Sequence, residues 1–478
     1  MSPPGRPKSE HRSAQHEGFP ESMGLMWAPQ AWVAGAWHAD VLLRVGSNGC
    51  WAEVQAGVPA PAAAQVLSGP VLPGLVNAHS HAFQRAFAGL AERREGAQDD
   101  FWSWRDRLYG VALRISPQQL RAVATQLYTE LLRGGYTQVC EFHYLHHSES
   151  GAPYADPLAM SRALVDAAAT AGIGLTLLPV LYQRAGFTQP TLRDDQRRFA
   201  TTLAQVLALR DGVRALGVPQ VNAGVAVHSL RAVPAGALHA LVRAVAGDPG
   251  PIHIHIAEQS AEVDDCLAAT GARPIEWLAR ELPLDARWQL VHATHATAAE
   301  IDAVAASGAG VVLCPSTEAN LGDGLADLPR WLASDTPLSL GSDSQVCRHW
   351  PEELRWLEYG QRLLLRQRNV AAQPERGHPS TAARLFGRVL AGGAAAAGFS
   401  AWGLVAGARA DLLVIDPRAP GLLGVPGSHR LDALVFASDA PAINDVWVAG
   451  RQVVSGGVHG QAGTAAAHFA AAMHGLWP

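Results

Sequence analysis

Apolar runs of strand length recur through the middle of the chain, each followed by a stretch of helical period. They occupy residues 74–79, 137–142, 174–181, 223–228, 251–256, 288–293, 310–314 and 338–341. Runs that are apolar throughout, without alternation, are the pattern of strands covered on both faces. Eight of them, separated by helices over about 270 residues, predict an α/β protein with a closed (β/α)8 barrel of the TIM type rather than an open sheet. The first crossover helix has a marked start. Ser116 and Gln119 make a capping box, Pro117 takes the first turn, and Leu120, Val123, Ala124, Leu127 and Leu131 line one face. The insertion at 91–114, which carries Phe101-Trp102-Ser103-Trp104-Arg105, reads as the longest decorated loop.

Outside the barrel, short apolar stretches alternate with turn residues at 31–36, 39–45 and 50–54, and again at 410–415, 433–436 and 444–454. These read as small β-strands. The expected organisation is a disordered tail over 1–24, a small β-sandwich domain built from 25–72 and 403–460, the barrel over 73–402, and a C-terminal helix or tail over 461–478.

Composition then narrows the chemistry. The 478 residues are 48% hydrophobic with a net charge of −5 and no dense basic run, which argues for a large core and against nucleic-acid binding. No stretch is long and apolar enough to span a membrane, and the first 24 residues hold no apolar core of a secretory signal. The expectation is a cytoplasmic protein. Five cysteines lie far apart without a C-x-x-C pair, so neither a disulfide scaffold nor a thiolate zinc site is expected. Among the 37 Lys and Arg residues the only lysine is Lys8. A Schiff base, a P-loop, or a carbamylated lysine bridging two metals therefore has nowhere to sit in the barrel.

Barrel enzymes carry function where strands end. Those positions here hold His79 and His81, His228 and Arg231, His253 and His255 with Glu258, His292, and Asp343, where an ordinary barrel would show aliphatic residues. Residues i and i+2 of a strand point to one side, so His79 and His81 converge on one point. With His255 and Asp343 they make a three-nitrogen, one-oxygen set that suits one divalent ion, zinc first, and leaves a place for water. His255 is chosen over His253, and His292 over His295, for their nearness to the strand ends. His143, His146 and His147 are read as structural or solvated. The fourth strand ends in His228 rather than lysine, in keeping with a single metal.

The order H-x-H, H-x-x-E, His, Asp across such a barrel resembles the amidohydrolase superfamily, in its mononuclear deaminase branch. Three segments are more specific than the metal motif: residues 73–86, residues 101–105, and Glu141-Phe142-His143-Tyr144-Leu145-His146-His147. They are similar to the branch whose members hydrolyse N-formimino-L-glutamate. The resemblance implies that His79, His81, His255 and Asp343 hold zinc, and that Gln84, Arg105, Tyr144, His228 and Arg231 line the pocket of a small dicarboxylate. It implies catalytic roles for Glu258, His292 and Asp343, with Trp102 and Trp104 as candidate walls, and a homodimer. Other amidine or nucleobase substrates, formimino-aspartate, iron or manganese as the ion, and a non-catalytic scaffold are the alternatives.

Overall fold

The computed structural model describes residues 24–94, 101–439 and 442–477, with the side chains of 101–103 left aside. The expected tail, apart from Gly24, and the side chain of Trp102 therefore lie outside the described residues. Eight parallel strands close into a barrel: Leu75–Ser80, Tyr136–His143, Gly174–Leu181, a fourth split into Val221–Ala223 and Val225–Val227, then Ile252–Ile256, Trp288–His292, Gly310–Leu313 and Leu338–Leu340. The last pairs with the first, Leu340 against Asn77, and seals the ring. Apart from the outer part of the fourth strand, every position on these strands is buried, which is why their sequences run apolar without alternation. The fourth strand breaks at Gly224, where a Cβ would meet the carbonyl oxygen of Pro251, just before the next strand, at 2.3 Å.

The flanks build a separate mixed sheet of nine strands, in which Leu25–Val33 pairs with Ala36–Val45, and Val71–Leu72 bridges Leu25–Val33 to Leu412–Ile415. It has its own core of Met26, Val41, Leu43, Trp51, Leu412 and Val414. The sheet is tied to the barrel floor by the Arg409–Asp411 pair, whose guanidinium also donates to Gln138 Oε1 (2.7 Å) and the Thr137 carbonyl (2.9 Å).

Two local expectations are corrected. Residues 433–436 belong to a helix, Arg430–Phe436, not a strand. Four apolar residues fit either state, and here Leu431, Leu434 and Val435 bury one helical face. The insertion at 91–114 is not a plain loop, since Phe101–Ala112 is a helix that brings Trp104, Arg105, Leu108 and Tyr109 over the barrel mouth.

The capping box is present as expected on the helix Pro117–Arg133: Gln119 N–H donates to Ser116 Oγ (3.2 Å) and Ser116 N–H to Gln119 Oε1 (3.0 Å). Ser116→Ala should lower stability by about 1 kcal/mol in urea denaturation.

Candidate active site

The seam between the first and last strands brings the first candidates together. Asp343 N–H donates to the His79 carbonyl (3.0 Å) and His81 N–H to the Asp343 carbonyl (3.3 Å), so the H-x-H segment and the aspartate are fixed by backbone bonds. Their side chains meet with that of His255, which stands on the fifth strand. His79 Nε2 lies 3.1 Å from His81 Nε2 and 3.0 Å from His255 Nε2. Asp343 Oδ1 is 3.4 Å from the His79 Nε2 and 3.3 Å from that of His81.

Tautomers follow from the other ring nitrogens. His81 Nδ1 faces the Phe142 carbonyl at 2.9 Å and His255 Nδ1 the His228 carbonyl at 3.0 Å. A carbonyl only accepts, so both Nδ1 atoms carry the hydrogen and both Nε2 atoms turn bare lone pairs toward His79. His79 Nε2 could offer a hydrogen to one of them at most, and the remaining contacts repel unless a cation lies among them. Ligand bonds of about 2.0–2.1 Å at tetrahedral angles place donor atoms roughly 3.3 Å apart, close to the spacing found. The donor set fits a divalent ion. Burial pushes the imidazole of His79 down to about 3 and lowers those of His81 and His255, so all three are neutral at pH 7, as ligation requires. Burial alone would raise Asp343, but its contacts with His79, His81 and His292 outweigh this and hold the carboxyl well below the usual carboxylate range.

His292 plays a different part. Its donor atom lies within 4.8 Å of those of His79 and His255, yet its Nε2 also stands 3.6 Å from Glu258 Oε1 and 3.8 Å from Asp343 Oδ2, with Nδ1 3.3 Å from Glu318 Oε1. Burial pulls this imidazole down, but Glu258 beside it and the hydrogen bonds to Cys314 and Glu318 raise it well above the usual histidine range. A protonated ring donates hydrogen bonds and does not ligate. Burial in turn pushes the Glu258 carboxyl up to about 7, against the pull of His292. His292 (φ 70°) and Asp343 (φ 46°) both hold left-handed backbone conformations that their side chains disfavour. Such strain persists only where surrounding structure enforces it.

A cavity of about 610 Å³ opens over this cluster. His81, His255, Glu258, His292 and Asp343 border it, and so do Gln84, Arg105, Tyr144, His228 and Arg231, with Trp104 in the wall. Of the expected site residues only His79, fully buried, stays beneath the surface. Gln84 Nε2 donates to the Tyr144 hydroxyl (3.2 Å), while Gln84 Oε1 is buried with no partner among the described residues. The Arg231 side chain meets no carboxylate within 4.0 Å among the described residues. A cation so placed in a cleft is suited to an incoming anion. His253 lies one layer lower, with Nε2 2.8 Å from the Ala396 carbonyl, and His147 Nε2 reaches the Ala200 carbonyl at 2.7 Å, so neither enters the cavity.

A buried polar chain behind the ligands was missed by sequence reasoning. Ser80, between the two histidines, donates to Glu141 Oε2 (2.9 Å) and accepts from Gln345 Nε2 (3.1 Å). Gln345 also donates to the Asp343 carbonyl (2.6 Å), and its Oε1 accepts from Ser342 Oγ (2.8 Å), which in turn accepts from Asn77 Nδ2 (2.6 Å). The chain joins the two ligand-bearing segments from behind. The available signal was polar residues inside otherwise apolar strands, as at Asn77 and Glu141.

The sequence profile of the amidohydrolase family matches residues 71–453. The chain is 46% identical over 438 residues to the formimidoylglutamate deiminase of Pseudomonas aeruginosa, covering 91% of this chain and 96% of that one. It is 30% identical to the 8-oxoguanine deaminase of the same organism, over 82% and 83% of the two chains. A crystal structure of an amidohydrolase from Brucella melitensis superposes with a TM-score of 0.90 at 41% identity, over 95% of this chain and all of that one.

Gln345→Leu should cost about 2–4 kcal/mol in urea denaturation, because it strips Ser80, Ser342 and the Asp343 carbonyl of buried partners.

Proposed function

The chain belongs to the amidohydrolase family, and from that footing we propose that it is a formimidoylglutamate deiminase: a metal-dependent hydrolase that converts N-formimino-L-glutamate and water to N-formyl-L-glutamate and ammonia, in histidine breakdown. The observation that carries this reading is the company the donor cluster keeps. Arg105 and Arg231 share one cavity with the neutral imidazoles of His81 and His255 and the ionised Asp343, and His79 lies directly beneath. The substrate has an amidine carbon at one end and two carboxylates at the other. A neutral nucleobase would offer no carboxylate to Arg231.

His79, His81, His255 and Asp343 would hold the ion, and an N3O set with neutral imidazoles suits zinc. When bound, the ion supplies Lewis acidity that brings the ionisation of water near neutral pH. The protein's residues do the rest. Arg231 and Arg105 pair with the carboxylates, while Gln84 and Tyr144 orient the chain between them. Asp343 takes one proton of the attacking water and hands it to the departing nitrogen, and on collapse of the tetrahedral centre its hydroxyl proton passes to the same nitrogen by way of Glu258, which faces it. His292, held protonated, donates to the oxygen of the tetrahedral centre as it forms at the amidine carbon. Ammonia leaves and the formyl group stays on the glutamate nitrogen. Five unpaired cysteines agree with work in the reducing cytoplasm, and among the described residues no helix is long and apolar enough to cross a membrane.

Incubation with N-formimino-L-glutamate should yield ammonia and N-formylglutamate in equal amounts; formamide with free glutamate would mean that another bond is cut. A strong chelator should abolish turnover and added zinc restore it. In steady-state assays Arg231→Ala should lower kcat/KM roughly 10- to 100-fold, the worth of a charged hydrogen bond. Glu258→Gln should lower kcat by about 100-fold or more.

A further inference from the structure

A second space, of about 880 Å³, opens beside the catalytic cavity, and Arg105 and Arg231 line both. Its outer wall comes from the segment after the third barrel strand and includes Arg193. Asp195 accepts from Arg193 Nε (3.0 Å) and Nη2 (2.7 Å), which fixes the guanidinium plane. Nη1 has no hydrogen bond among the described residues. The Arg193 Cζ stands 5.5 Å from the ring centre of Tyr109, and the Arg105 Cζ stands 5.5 Å from the same ring. One tyrosine thus carries a guanidinium from each chamber wall.

The segment is anchored to the Arg231 turn. Arg184 Nε donates to the Arg231 carbonyl (3.0 Å) and its Nη2 to that of Leu230 (2.9 Å), and the amides of Gln183 and Arg184 both donate to the Ala232 carbonyl. Gln196 Nε2 reaches the hydroxyls of Tyr182 (3.0 Å) and Tyr109 (3.4 Å). Arg193 is therefore held at a fixed place relative to Arg105 and Arg231. Three cations face a space whose one lining carboxylate among the described residues is the exposed Asp265. Burial, with the charges of Arg193 and Arg231, pushes the Arg105 guanidinium down. The chain as a whole carries −5, a field that repels anions, so a local cationic entrance changes how they arrive.

We propose that this outer chamber is a capture site for dicarboxylates, in which Arg193 binds one carboxylate of the arriving ligand before Arg105 and Arg231 draw it into the catalytic cavity. The proposal rests on the reading of Arg105 and Arg231 as carboxylate partners. It makes Arg193 a determinant of specificity for two carboxylates over one. The alternative is that Arg193–Asp195 is a half-exposed ion pair of the ordinary kind, with little effect on anything.

The test uses the metal-loaded enzyme and glutarate, a dicarboxylate that cannot react, with binding measured by calorimetry. Arg193→Gln should weaken glutarate about tenfold, the worth of one charge-assisted hydrogen bond, and flatten the salt dependence of binding. Arg193→Lys should recover part of the loss, and Asp265→Asn should tighten binding about twofold at low salt. With N-formimino-L-glutamate, Arg193→Gln should raise KM and leave kcat within about twofold. Glutarate binding within twofold of the parent in Arg193→Gln overturns the proposal, as does a loss confined to kcat. The two readings separate: Arg193-dependent glutarate binding in an enzyme that releases no ammonia keeps the chamber and removes the reaction. Ammonia release with glutarate binding indifferent to Arg193 does the reverse.

Discussion

Everything at the barrel mouth depends on one electrostatic constraint: three uncharged imidazoles and an ionised carboxylate converge on a single buried point. Backbone carbonyls of Phe142 and His228 take the Nδ1 hydrogens of His81 and His255, which leaves their lone pairs no direction but inward. Such an arrangement is repulsive by itself and becomes favourable around a positive ion. The seam between the first and last strands, and the hydrogen-bonded chain through Ser80, Gln345 and Ser342, supply the rigidity that holds it. The left-handed backbone at His292 and Asp343 shows where that rigidity is spent.

Charge is divided around this point with equal economy. Burial strips the proton from His79, His81 and His255 even with Asp343 beside the first two, while His292, against Glu258 and Glu318, keeps its own. One residue type thus serves as ligand and as donor within a few ångströms, according to whether burial or the surrounding acids and hydrogen bonds prevail. The near-absence of lysine leaves every interior cation other than His292 a planar guanidinium, matched to carboxylates, and removes the modified lysine that a second metal would need.

Much of this was legible in the sequence, for physical reasons. Strands buried on both faces must be apolar throughout, so the eight runs stood out, and a histidine or aspartate at the end of such a run is conspicuous. Within the fifth strand, the position nearer the mouth separated His255 from His253, which bonds to the Ala396 carbonyl in the floor. Hydrogen bonds between distant segments were not legible: Asn77 and Ser342 are 265 positions apart, and nothing local in either stretch announces the other. The helix Phe101–Ala112 escaped because its aromatic and charged residues face a cavity rather than a core, which blurs the apolar stripe. The run at 433–436 was too short to tell a strand from a helix.

The order of the chain has a bearing on biosynthesis. Leu25–Val33 and Val71–Leu72 share a sheet with Leu412–Ile415, and Asn77 waits for Leu340 before the barrel can close. A ribosome therefore releases most of the polypeptide before either sheet has both of its edges, and the donor set is incomplete until residue 343 has emerged. Long-range closure of this kind is slow and leaves early strands uncovered. The first strands of both sheets thus stay without their late partners for most of synthesis, and the full donor set comes together only near its end.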